Sequence, residues 1–193
     1  MLRCRERDLT PMTTTENPAR RWTYADYCRI PDDGRRHEII DGRHFVNPAP
    51  SPYHQVVAGR LFYELMRLVE KTSRGRVIGA PLDVHLGPGT IVQPDIVVMR
   101  PRTASIIGPK KLTGVPDLLV EVLSPSNRTY DRRTKRGRYE RAGVREYWIV
   151  DPEQHVVEQL VLRNGSYRDA IVVADQITPR ILRGIVIDLV EVW

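Results

Sequence analysis

Residues 118–150 read LLVEVLSPSNRTYDRRTKRGRYERAGVREYWIV, and this stretch decides the fold. Leu118–Leu123 is apolar throughout except for Glu121, as in a strand covered on both faces in the middle of a sheet. The period then changes. Asp131, Lys135, Tyr139 and Ala142 recur three or four residues apart, which predicts a helix over Asp131–Ala142 with these four on one stripe. Tyr147–Val150 is again a short apolar run, a further strand. Tyr139 and Ala142 are the apolar members of the helical stripe, so that stripe should face the sheet.

Outward from this unit, the upstream chain carries the same alternation of strand and helix. Ile91–Met99 reads as a strand with Asp95 just after Pro94, and Val77, Ile78, Val84 and Leu86 read as one strand region closed by Gly87-Pro88-Gly89. Val56, Val57, Leu61, Leu65, Leu68 and Val69 recur at helical spacing between Tyr53 and Lys71. Before them, His37–Ile40 and Phe45-Val46 flank an Asp41-Gly42 hairpin turn, and Thr23 caps a short helix ending near Cys28. Downstream, Val156–Leu162 and Tyr167–Val173 flank Asn164-Gly165, a second hairpin signal, and a last strand is expected over Ile185–Val190. The expected fold is α/β or α+β, a mixed central sheet flanked by helices with an appended C-terminal β-hairpin. Residues 1–21 lack a hydrophobic period and read as a disordered tail, leaving 22–193 as a single domain.

Composition narrows the function. Of 193 residues, 41% are hydrophobic and 28% charged, a globular balance that excludes wholesale disorder. The two cysteines, Cys4 and Cys28, are too few for a zinc site or a disulfide framework and fit a reducing cytosol. No apolar run approaches the ~20 residues of a membrane span, so a cytoplasmic protein with no membrane partner is expected. The net charge is +6, and the stretch from Arg128 to Arg145 alone holds eight basic residues against Asp131 and Glu140. That stretch is either a solvated helix face or a surface for a polyanion.

Asp95 and Glu121 are the two acids set inside apolar runs. A buried carboxylate loses hydration worth several kcal/mol unless a cation or hydrogen-bond donors replace it. An arginine ion pair would satisfy either acid. Two such acids in adjacent strands, followed by a basic helix, equally suit a hard divalent cation, which needs only one or two carboxylates beside water and phosphate oxygens.

The ordered series Pro94-Asp95, Glu121-Val122-Leu123-Ser124-Pro125-Ser126, Asp131, Lys135, Tyr139 and Gly143–Pro152 resembles the Uma family of restriction-endonuclease-like proteins. The likeness also takes in His37–Gly42, Ser51–His54 and Asn164-Gly165, and so runs over residues 22–190. That family is similar to the PD-(D/E)xK nucleases, whose core is a helix, three strands, a helix and a fourth strand. The resemblance implies an endodeoxyribonuclease acting on DNA, with magnesium, or alternatively manganese, held by Asp95 and Glu121. Leu123 stands where the general motif has lysine; in this branch the lysine moves to the following helix, where Lys135 matches it. Asp95, Glu121 and Lys135 are therefore the expected catalytic residues. The Lys135 ammonium is expected within roughly 6 Å of a carboxylate oxygen of Glu121 or Asp95, one water's reach.

Three accessory positions have two readings each. Glu38 is a further ligand or an edge-strand surface acid. His54 belongs to the site or merely caps and packs its helix. Tyr139 orients Lys135 or is plain core. Arg128, Arg132, Arg133 and Arg136 would track a nucleic-acid backbone, giving affinity without sequence choice. Cutting both strands of a duplex needs two sites, so symmetry alone suggests a homodimer. The alternative function is a catalytically inactive nuclease-fold module that binds nucleic acid or protein, its acids bridged to arginine.

Overall fold

The structure is a computed structural model, described here for residues 13–14, 21–125 and 128–193. In chain order its elements begin with β1 (Thr13–Thr14), α1 (Tyr24–Tyr27), β2 (Arg36–Ile40), β3 (Arg43–Asn47) and α2 (Pro52–Leu65). Four short strands follow: β4 (Arg76–Gly79), β5 (Val84–Gly87), β6 (Thr90–Val92) and β7 (Ile96–Met99). Then come β8 (Leu112–Thr113), β9 (Leu118–Val122), α3 (Arg136–Ala142) and β10 (Glu146–Asp151). The chain closes with β11 (Val156–Arg163), β12 (Ser166–Tyr167), β13 (Ile171–Val173), β14 (Gln176–Ile177) and β15 (Ile187–Asp188). Wider π-type turns extend α2 over Met66–Glu70 and lead into α3 over Tyr130–Lys135.

Two sheets result. One has the order β1-β3-β2-β6-β5-β8; the other runs β12-β11-β10-β9-β7-β4, with β13 on β11. The second sheet carries the expected core. β4, β7 and β9 are antiparallel neighbours, and β10 joins β9 in parallel after the α3 crossover. The appended hairpin β11–β12 turns at Asn164 (φ 52°) and Gly165 (φ 79°), and β2–β3 turns at Asp41 (φ 52°) and Gly42 (φ 77°). Both pairs have the two positive φ values that a tight hairpin turn matching the strand twist demands.

Two apolar stretches that read as single strands are each divided between the sheets. Ile91–Met99 splits into β6 in the first sheet and β7 in the second, with Gln93-Pro94-Asp95 crossing between them. Pro94 has no N–H for a ladder, and the Gln93 N–H leaves the sheet to donate to Glu38 Oε1 at 2.7 Å. The Val77–Leu86 region likewise divides into β4 and β5 around Ala80-Pro81. Hydropathy could not separate the halves of Ile91–Met99, because both are buried. The expected last strand shrinks to β15, paired with β14. Thr13 and Thr14, inside the expected tail, pair with Val46 and Phe45 of β3; residues 1–12 and 15–20 of that tail lie outside the described residues.

Side-chain alternation along the second sheet builds two different interiors. Ile96, Val98, Leu118, Val120, Val122 and Trp148 pack against Val57, Leu61, Leu65 and Val69 of α2 and its extension. The α2 helix starts where Ser51 accepts the His54 N–H and Pro52 supplies a preset φ at the first turn. The opposite face presents Val97, Met99, Leu119, Tyr147 and Ile149 to Tyr130, Tyr139 and the first sheet's Ile40, Val84 and Val92. The same alternation puts Asp95 in line with Val97, and Glu121 in line with Leu119, on this second face.

Candidate active site

The register pairs Ile96 with Val120, so Asp95 and Glu121 stand side by side at the next step along β7 and β9. Val122 N–H donates to Asp95 Oδ2 at 2.9 Å, fixing that carboxylate to the neighbouring strand. Tyr139 Oη donates to Glu121 Oε1 at 2.7 Å, and Lys135 Nζ lies 2.9 Å from the same oxygen. The lysine is therefore well inside its expected reach. It is also 3.2 Å from Glu38 Oε1 and 3.5 Å from Asp131 Oδ1, and only 3% exposed. The stripe of Asp131, Lys135 and Tyr139 does face the sheet, and all three are buried.

Each accessory position resolves into one role. Glu38 is not an edge acid: β2 lies between β3 and β6, and Glu38 is completely buried. Its oxygens accept from Gln93 N–H at 2.7 Å and Asn47 Nδ2 at 2.8 Å while it holds Lys135. Ser51 caps α2, which frees the buried His54 side chain to place Nε2 3.2 Å from Asp95 Oδ2. Tyr139 holds Glu121 rather than Lys135 itself. A residue that the sequence reading missed completes the set: Arg36 Nη1 donates to Asp95 Oδ1 at 2.7 Å. Its signal was present, since Arg36 and Glu38 are two apart on β2 and so share a face.

Four buried carboxylates, Glu38, Asp95, Glu121 and Asp131, thus meet two permanent cations, Arg36 and Lys135. Burial pushes the Glu121 carboxyl well above its usual range; Lys135 opposes this, and repulsion from Asp131, Asp95 and Glu38 adds to it. Burial likewise takes Asp131 up to about 7 despite Lys135. Asp95 behaves oppositely. Burial alone would raise it, but the hydrogen bond and charge of His54, with Arg36, outweigh that and hold it at about 2. Burial works against the Lys135 ammonium too, and Glu121, Glu38 and Asp131 more than offset it, so it stays protonated.

The donor set fits a hard divalent cation. A cleft of about 20 Å³ adjoins Asp95, Glu121, His54 and Lys135, room for one ion or water. His54 Nδ1, Gln93 Oε1 and Asn47 Oδ1 are buried around it with no hydrogen-bond partner among the described residues. Among the described residues no group of three His, Cys, Asp or Glu side chains could hold a metal by itself. A cation here would rest on Asp95 and Glu121 and complete its shell with water and substrate oxygens, as magnesium does. A larger hollow of about 680 Å³ is lined by Trp22, Tyr24, Arg141 and the turn residue Asp41, and by none of these acids.

A profile of the Uma2 family, described as "putative restriction endonuclease", matches residues 24–190. The chain belongs to the Uma2 family. Its structure is also similar to the crystal structure of a "putative nuclease belonging to DUF820" from Anabaena variabilis ATCC 29413. The TM-score is 0.74 at 16% identity, covering 89% of this chain and 97% of that one. At such identity the likeness speaks for the fold, which is restriction-endonuclease-like. None of the curated proteins compared with the chain matches it. No helix among the described residues is long and apolar enough to cross a membrane.

The basic stretch of this Uma2 chain is less free than its composition suggests. Arg128 donates to Asp151 at 2.8 and 3.1 Å and to Glu153 at 2.6 Å, and Arg132 reaches Asp151 and Glu158. Arg138 and Arg141 pair with Asp41, and Arg145 lies 3.7 Å from Asp117. Among the described residues, Arg133 and Arg136 carry no ion pair. The compensating acids come from β10, the β10–β11 turn, β11, the β2–β3 turn and the residue before β9. All lie outside the stretch, so a count within it could not see them.

Proposed function

We propose that this chain is a metal-dependent nuclease that hydrolyses phosphodiester bonds in DNA. The observation that carries the reading is the caged ammonium of Lys135, 2.9 Å from Glu121 beside Asp95. Tyr139 and Lys135 occupy Glu121 Oε1, so Oε2 is the oxygen left for a cation, with Asp95 supplying the second carboxylate. Magnesium, or manganese, bound there would polarise a phosphate and lower the pKa of an attacking water. Lys135 holds that water and stabilises charge growing on the phosphate. Glu38 and Asp131 keep Lys135 charged and in place, and His54 with Val122 N–H orients Asp95. Arg133 and Arg136 attract the backbone of the nucleic acid without reading bases. DNA as the substrate follows the family's description as restriction endonucleases, and a two-fold dimer would give each strand of a duplex its own site.

One observation favours the rival, an inactive nuclease-fold module that binds nucleic acid or protein. Asp95 already has Arg36, and Glu121 already has Lys135, as a counter-ion. Plasmid cleavage by purified protein separates the two. The nuclease reading expects nicking or linearisation only with magnesium or manganese, and none with Asp95→Ala. Plasmid left intact in every metal, while still bound, would establish the rival.

A further inference from the structure

The two oxygens of Asp95 have different neighbours. Oδ2 accepts the Val122 N–H at 2.9 Å and lies 3.2 Å from His54 Nε2, donors fixed by a central strand and by the first turn of α2. Oδ1 is held by Arg36 Nη1 at 2.7 Å. On Glu121, Oε1 is taken by Tyr139 and Lys135. Glu121 Oε2 and Asp95 Oδ1 are the oxygens with the fewest partners among the described residues, so a cation joining these carboxylates would use them, and Arg36 stands on the second.

Arg36 differs from the other cation of the site in how it is held. Lys135 is 3% exposed and touches three carboxylates, whereas the Arg36 side chain is 23% exposed and makes its one ion pair among the described residues with Asp95. It lines the mouth of the cleft with Pro48, Pro50 and Ser124, at the start of β2. Burial would lower its pKa, and Asp95, Glu121 and Glu38 more than offset this, so the guanidinium sits in the field of all three acids. A divalent cation arriving at Asp95 would cancel that field and repel the guanidinium. The planar fork of an arginine matches two phosphate oxygens at once.

We propose that Arg36 is a metal-displaced phosphate clamp: it neutralises Asp95 in the metal-free protein, yields Oδ1 to the incoming cation, and then grips a phosphate of the nucleic acid at the cleft mouth. The clamp rests on the nuclease reading above and adds to it a substrate contact that exists only after metal binds. Metal and nucleic acid then favour each other through one side chain, because releasing Arg36 from Asp95 is what makes it available to phosphate.

The test is fluorescence anisotropy of a labelled DNA duplex with wild type, Arg36→Met and Arg36→Lys, in EDTA and in calcium, with the strands checked to be intact. Arg36→Met should lose about tenfold in affinity in calcium, as expected for one charge-assisted contact. In EDTA it should lose less than about twofold, and its salt slope in calcium should fall by about one. Arg36→Lys should keep the slope but recover only part of the affinity, since it lacks the fork; if Arg36→Met does not fold, weaker binding by Arg36→Lys in calcium alone carries the test. Calcium should also raise the melting temperature of Arg36→Met more than that of wild type, because nothing has to be displaced. Equal losses in EDTA and calcium would make Arg36 a standing DNA contact, and no loss in either would make it a structural ion pair; both overturn the clamp. A wild type whose melting temperature no divalent cation moves would overturn the nuclease reading, and the clamp with it.

Discussion

The strands β7, β9 and β10 present Ile96, Val98, Leu118, Val120 and Trp148 to α2, and Asp95, Glu121 and Tyr147 to the α3 side. The backbone is shared, and only the parity of the position differs. On the α2 face, burial of apolar surface stabilises the fold. On the α3 face, burial raises the carboxyl pKa values of Glu121 and Asp131, and each acid there needs a cation or a donor to be tolerated. The α2 face of these strands is thus held mainly by packing, whereas the α3 face combines an apolar core with acids whose charge must be balanced.

The contrast can be broken by substitutions on each face. Leu61 is fully buried against the α2 face of the sheet, and Leu61→Ala should cost about 2–5 kcal/mol in chemical denaturation. The DNA cleavage rate per folded molecule should stay within about twofold of wild type; a large loss of rate would show that the faces are coupled. Tyr139→Phe, on the other face, removes one hydrogen bond to Glu121 and should cost about 1–2 kcal/mol of stability. Its cleavage rate should fall about tenfold, because Glu121 loses one of the two groups that fix it. An unchanged rate would reduce Tyr139 to packing.

The outside of α3 should give the smallest effects. Arg133→Ala with Arg136→Ala breaks no ion pair among the described residues, and stability should change by less than about 0.5 kcal/mol. The salt slope of DNA binding should fall by about two. Arg132→Ala should reverse this pattern, costing about 1 kcal/mol through its partners Asp151 and Glu158 with little change in slope. Matching slopes for the two variants would mean that the ion pairs open when DNA binds.

Asp95, Glu121 and Lys135 were legible in the sequence because each breaks a strong local rule. Two are acids in apolar runs, and the third is the one basic residue on an inward helical stripe. What stayed hidden depends on distant partners. The division of Ile91–Met99 between two sheets leaves both halves buried, so hydropathy is blind to it. Burial of Glu38 follows from β6 pairing beside β2 at Ile39 and Ile91, a contact between residues far apart in the chain. Arg36 was hidden by ordinary surroundings, Asp-Asp-Gly-Arg before it and His37 after it, although Glu38 two positions on shares its face.

Thermal unfolding of wild type and Glu121→Gln across a magnesium or manganese titration tests the site most directly. A cation held between Asp95 and Glu121 should stabilise wild type by about 2.7 kcal/mol at a hundredfold excess over Kd, a shift of roughly 5–10 °C for a chain of this size. Glu121→Gln should show no shift. Absence of a shift in wild type at millimolar metal, or an equal shift in Glu121→Gln, would contradict a metal site at these two carboxylates.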